Sequence, residues 1–188
     1  MSIHDDNRKA LFEKNTYKNW QTPWCFFNLF NKKYKFEWDM AASKWNRLCK
    51  KYVTKKDDAL NITWPENTSI WCNPPYDSRT LKYWLERGWD AARRGSDVVY
   101  LLHGRIDTIW FHEWAIRGTI GIVRGRLKFL YHGKVQSSAP FPSVVVIYRP
   151  KHVQIYNEHG IPNRPDTFII DLRGRFKKFP RVIKRFPR

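Results

Sequence analysis

The chain has 188 residues and carries 35 Lys plus Arg against 17 Asp plus Glu, a formal charge of +18. That length suits one α/β domain with decoration and leaves little room for a second independent core. The charge excludes the near-balance of an ordinary metabolic enzyme and points to a polyanion as partner. No apolar run of spanning length and no signal-peptide pattern stand in the sequence. The expected setting is therefore the cytoplasm and the expected partner is not a membrane. Cys25, Cys49 and Cys72 are odd in number and lie in apolar or aromatic surroundings, as buried thiols do. The six His have no CxxC or HExxH companion, so no metal site is expected.

Taken in chain order, residues 1–16 are polar without a sustained period and read as an N-terminal arm, followed by a catalytic domain over residues 17–150. Tyr34 to Asp39 is strand-like, and Ala41, Trp45 and Leu48 recur at the spacing of one helix face. Ser69 to Cys72 is a short apolar strand. Asn73-Pro74-Pro75-Tyr76 must then be a loop, because two prolines deny both helix and ladder hydrogen bonds. A helix follows, with Asp77 or Ser78 as its cap, with Leu81, Trp84, Leu85, Gly88 and Trp89 on one face, and with Gly95 at its C-terminal end. Asp97 to Leu102 is a buried strand, Asp107 to Arg117 a helix ended by Gly118, and Thr119 to Val123 another strand. Leu127 to Tyr131 and Ser143 to Tyr148 are two further strands, expected as an antiparallel edge. The alternation predicts an α/β fold with a mainly parallel sheet covered by helices. Residues 151–188 hold ten Lys or Arg, three acids and one apolar run at Phe168 to Leu172, and read as a basic C-terminal extension.

The Asn73-Pro74-Pro75-Tyr76 loop carries the most chemical information. It stands between a strand and a helix, where open α/β sheets bind ligands. The amino nitrogen of a nucleobase is a poor nucleophile because its lone pair is delocalised into the ring. A side-chain amide oxygen from Asn73 and the Pro74 carbonyl, held outward by the rigid Pro74-Pro75 turn, suit the task of accepting both amino hydrogens and exposing that lone pair. Tyr76 suits stacking on a base rotated out of the duplex.

Several ordered motifs carry a resemblance. Asn19-Trp20-Gln21-Thr22-Pro23, Trp38-Asp39-Met40-Ala41-Ala42-Ser43 with Asn46, Cys49, Tyr52 and Thr54, and Asp57-Asp58-Ala59-Leu60 with Trp64 precede the Asn-Pro-Pro-Tyr loop. Leu101-Leu102, Arg105, Asp107, Trp110-Phe111-His112, Gly125 to Phe129 and Ser138 to Pro142 follow it. Together they resemble the phage-type N6-adenine DNA methyltransferases over about residues 19–148. The resemblance implies a Rossmann-like fold, S-adenosylmethionine as cofactor, double-stranded DNA as substrate, and a bacterial host cytoplasm if the chain is phage-encoded. It also implies Asn73, Pro74, Pro75 and Tyr76 as catalytic residues. Thr22, Pro23, Asp39, Ala41, Asp58 and Asn73 would line the cofactor pocket, with Asp57 the weaker candidate of the Asp57-Asp58 pair.

No Gly-rich loop follows the first strand. Asp39-Met40-Ala41-Ala42-Ser43 stands there, with small alanines that let a ligand approach the backbone. This departs from methyltransferases generally but not from the phage-type family. Arg105, Arg124, Arg126 and Lys128 lie near expected strand ends, where they could grip phosphates. A chain with so little outside its catalytic core is expected to read short or relaxed sequences. The alternatives are methylation of RNA or of a protein amide, and a non-enzymatic basic DNA-binding protein that keeps the fold. The sequence leaves a monomer or a weak dimer open.

Overall fold

The computed structural model describes residues 20–159, 166–172 and 181–185. Its strands are β1 (Trp38–Asp39), β2 (Lys51–Tyr52), β3 (Ser69–Cys72), β4 (Asp97–His103), β5 (Thr119–Arg124), β6 (Leu130–Tyr131), β7 (Lys134–Val135), β8 (Ser143–Tyr148), β9 (Thr167–Asp171) and β10 (Arg181–Arg185). Its helices are α1 (Trp24–Tyr34), α2 (Leu81–Arg93), α3 (Ile109–Glu113) and α4 (Pro150–His159). Eight strands form one sheet in the order β10-β9-β5-β8-β4-β3-β1-β2, and β6 with β7 form a separate hairpin. The pairs β1–β2, β1–β3, β3–β4 and β5–β9 are parallel, whereas β8 runs against both β4 and β5 and β10 runs against β9. Among the described residues, no helix is long and apolar enough to cross a membrane.

The sheet is covered on both faces, as the near-continuous apolar run Val98 to Leu102 requires. Successive side chains of a strand point to opposite faces. Val98, Tyr100 and Leu102 accordingly join one buried cluster with Leu81, Trp84, Leu85 and Trp89 of α2, while Val99 and Leu101 join another with Phe26, Phe27 and Phe30 of α1. Trp71 on β3 meets Phe27 edge-on at 5.3 Å. The resulting two-faced α/β sheet agrees with a Rossmann-like methyltransferase fold.

Four elements differ from the sequence reading. The helix expected across Ala41, Trp45 and Leu48 does not form. The Asp39 carboxylate captures the Leu48 amide at 3.1 Å, and the Ala42 amide donates to the Val53 carbonyl at 3.0 Å, so the segment folds into turns. The expected helix over 107–117 is broken into α3 and a 3-10 turn, Ala115–Arg117. Ser143 to Tyr148 lies inside the sheet between β4 and β5, while the Leu127 to Tyr131 stretch contributes Leu130 and Tyr131 to the outlying hairpin. The apolar run at Phe168 to Leu172 supplies β9, in register with β5 from Ile120↔Thr167 to Arg124↔Asp171, so the sheet continues past the boundary expected at residue 150.

Candidate active site at the carboxyl edge of the sheet

β1 is flanked by β2 on one side and β3 on the other, both parallel to it. The chain thus leaves β1 toward one side of the sheet and later returns on the other. At such a switch point the loops diverge beyond the carboxyl ends of the strands and leave a crevice between them. Asp39 ends β1 and pairs in register with Trp71 of β3, two residues before Asn73. The fold itself brings the first acidic candidate and the Asn-Pro-Pro-Tyr loop to the same crevice.

Asn73 is held from the far side. Its Nδ2 donates to the Trp20 carbonyl at 3.3 Å, which fixes the amide and leaves Oδ1 buried without a hydrogen-bond partner among the described residues. A buried amide oxygen without a donor costs free energy unless a bound group supplies one. Pro74 is buried, and the Pro75 carbonyl accepts the Asp77 amide at 2.9 Å, closing the loop ahead of α2. Tyr76 is half-buried, with its hydroxyl 3.4 Å from the Leu101 carbonyl. Its ring meets His103 at 5.2 Å, Phe141 at 5.5 Å and Phe129 at 6.4 Å, each edge-on. Burial pushes its phenol well above the usual range.

The aromatic enclosure around Tyr76 was not foreseen from sequence. Trp20 stacks on Phe129 at 4.9 Å and tilts against Phe141 at 5.7 Å, and His103 meets Trp110 at 5.3 Å. The available signal was that Trp20, Phe129 and Phe141 each stand inside a motif that carries the family resemblance. His103 is neutral at physiological pH, since burial and then the Arg105 charge lower it to about 4. Its Nδ1 and the Trp110 Nε1 are both buried without partners among the described residues.

Of the cofactor candidates, Thr22 is buried and its Oγ1 is likewise without a partner among the described residues. The Pro23 carbonyl instead accepts the Phe26 and Phe27 amides and so starts α1. Asp39 is buried, and its carboxylate accepts the Leu48 amide and, more weakly at 3.4 Å, that of half-buried Ala41. Burial lifts it to about 6 despite those bonds.

Asp58 stands elsewhere along the same edge. It is exposed, adopts φ +52°, and accepts the Leu60 amide at 3.2 Å and Asn61 Nδ2 at 2.6 Å. With Leu60, Asn61, Tyr83, Glu86 and Arg87 it lines a pocket of about 380 Å³ against α2. Asp57 is occupied by the Thr54 amide and hydroxyl, which hold its carboxyl below the ordinary range.

Three of the four phosphate candidates lie on this rim. Arg105 follows the carboxyl end of β4, exposed and 3.6 Å from Asp107; Arg124 ends β5 and lies 3.4 Å from Asp171; Arg126 is exposed just beyond it. Lys128, half-buried, sits two residues further on.

The two-faced α/β sheet agrees with an enzyme of the methyltransferase class. The family described as DNA N-6-adenine-methyltransferase (Dam) matches residues 9–169, and the chain belongs to that family. A DNA N-6-adenine-methyltransferase of Escherichia phage T1 is 27% identical over 163 residues, an overlap of 76% of this chain and 68% of the phage protein.

Proposed function

We propose that the protein transfers a methyl group from S-adenosylmethionine to the N6 amino group of adenine in double-stranded DNA, with the target base rotated out of the helix. One observation carries the reading: Asn73 Oδ1 is buried at the switch point with no donor among the described residues, its amide fixed by the Trp20 carbonyl. That oxygen is a preorganised acceptor for one amino hydrogen, and the Pro74 carbonyl is the candidate for the second. Accepting both draws the nitrogen toward tetrahedral geometry and exposes its lone pair. Tyr76, braced by His103, Phe129 and Phe141, gives the base an apolar wall. The nitrogen's surplus proton leaves readily once it is alkylated, so no strong base is needed.

The residues fit the cofactor. Thr22 Oγ1 is a buried hydroxyl without a partner among the described residues, and Asp39 is a buried carboxylate at the end of β1. Both offer partners for the cofactor's hydroxyl and ammonium groups, the Ala41 backbone allows close approach, and Asp58 offers a carboxylate in the pocket beside α2. When bound, the cofactor supplies a methyl group activated by a sulfonium.

The test is labelled methyl transfer to unmethylated DNA followed by nucleoside analysis, with RNA assayed in parallel. Asn73→Ala is expected to melt like the wild type and to lose turnover by a factor on the order of 10² or more, as removal of a preorganised hydrogen-bonding group does elsewhere. Near-normal turnover in that variant refutes the mechanism. We further propose short or relaxed sequence preference, because phosphate contacts supply affinity to any duplex. Base-resolution mapping of methylated adenines on a mixed-sequence plasmid checks it, and modification confined to one motif of several fixed bases refutes it.

A further inference from the structure

The sequence from Lys44 to Lys56 holds six cations (Lys44, Arg47, Lys50, Lys51, Lys55 and Lys56) and no acid. The fold places this run at the β2 edge of the sheet, on the opposite side of Asn73 from Arg105, Arg124 and Arg126. The turns after β1 and β2 bring Lys44, Arg47, Lys55 and Lys56 to the carboxyl edge, because the Ala42 amide bonds the Val53 carbonyl and the Leu48 amide bonds Asp39. Lys44, Lys55 and Lys56 are exposed and form no ion pair among the described residues. The acids that follow, Asp57 and Asp58, are engaged by their own turns.

At the start of the run Trp45 is 84% exposed, with the Lys44 ammonium 5.5 Å from its ring centre. A tryptophan left in water by a domain that buries Trp64, Trp71 and Trp89 is unexplained by packing.

We propose that the 44–56 edge is a second DNA-binding surface, which grips the backbone of the substrate duplex on the flank of the target adenine away from Arg105 and Arg126. Distance supports it. Neighbouring strands are about 4.8 Å apart, so the five steps from β5 to β2 span roughly 24 Å, about seven base pairs at 3.4 Å each. A duplex laid along the carboxyl rim with its target base at Asn73 then meets cations on both flanks. Trp45 offers a flat apolar face to an adjoining sugar or base, the kind of contact that aromatic side chains make with nucleic acid.

This inference rests on the methyltransferase reading, and its test separates the two. Wild-type protein is first assayed for methyl transfer to a duplex with a central adenine. A duplex left unmethylated overturns that reading and this one with it. Binding is then measured against salt for wild type, for the triple variant Lys44→Gln, Lys55→Gln and Lys56→Gln, and for Trp45→Ala.

Each lost phosphate contact lowers the slope of log affinity against log salt by about 0.9, so the triple variant is expected to lose up to about 2.7 of slope while kcat at saturating DNA is unchanged. Trp45→Ala is expected to weaken binding about tenfold with the slope intact. Trimming base pairs from one flank should weaken the wild type and leave the triple variant indifferent, whereas trimming the other flank should weaken both. A wild-type slope in the triple variant, or equal sensitivity of both proteins to each trimmed flank, overturns the second surface while leaving the methyltransferase reading in place.

Discussion

Asp39→Asn should make the chain more stable and the cofactor site worse, and the structure gives the size of the first effect. The Asp39 side chain sits in a residue only 4% exposed, and burial lifts its carboxyl from the ordinary 3.8 to about 6 against the pull of the Leu48 and Ala41 amides. Each tenfold change in proton affinity is worth about 1.36 kcal/mol. Keeping Asp39 ionised above pH 6 therefore costs the folded chain about 3 kcal/mol relative to the unfolded one.

The folded state holds this proton more tightly than the unfolded state. The cost is therefore absent below about pH 4, grows between pH 4 and 6, and is constant above. An asparagine carries no charge anywhere in that range. Denaturant melts of ligand-free wild type and variant, taken in parallel, should show the variant gaining on the wild type by about 2 kcal/mol between pH 4 and 6.5. Every other titrating group is shared and cancels. Calorimetric titration with S-adenosylmethionine should move the other way, with affinity reduced by roughly 1–3 kcal/mol for a lost hydrogen bond to a buried ligand group. A stability difference that is flat from pH 4 to 7 would show that Asp39 is not a buried, strained carboxylate and would remove the argument.

Other perturbations separate packing from chemistry. Tyr76→Ala should weaken substrate binding by about 1–3 kcal/mol, whereas Tyr76→Phe should be mild because the hydroxyl makes only a 3.4 Å bond to Leu101; equal defects in DNA-binding and turnover assays would refute the stacking role. Asp58→Asn should preserve the turn, since Asn tolerates φ +52°, so about tenfold weaker cofactor binding there reports the lost charge. Unchanged affinity in both Asp58→Asn and Asp58→Ala would refute a role for Asp58 in holding the cofactor. Gly88→Ala should lower stability by on the order of 1–3 kcal/mol, because the new Cβ would overlap the Tyr100 hydroxyl, which is buried and bonded to the Trp84 carbonyl at 2.6 Å. A wild-type denaturation curve for that variant would show that Tyr100 yields.

Local pattern determined much of this protein. The apolar runs of β3, β4 and β8, the amphipathic face of α2 and the glycine at its end (Gly95, φ +90°) were legible because period and turn chemistry are properties of neighbouring residues. The course of the Asn-Pro-Pro-Tyr loop was legible for the same reason, as two prolines between a strand and a helix leave the backbone few choices.

What the sequence could not reveal depends on contacts between distant segments. The turns at 40–48 replace a helix because Asp39 reaches Leu48 across nine residues. β8 enters the middle of the sheet because both β4 and β5 need a partner on that side, and its six residues, Ser143–Tyr148, are all buried. The Asn73 amide, whose oxygen has no partner among the described residues, is oriented by Trp20, 53 positions earlier in the chain. The rings of Trp20, Phe129 and Phe141 meet around Tyr76 only once the sheet has closed. Chemistry-bearing residue types announce themselves in sequence; which of their atoms is left without a partner, and therefore ready for a ligand, is decided when the rest of the molecule has satisfied all the others.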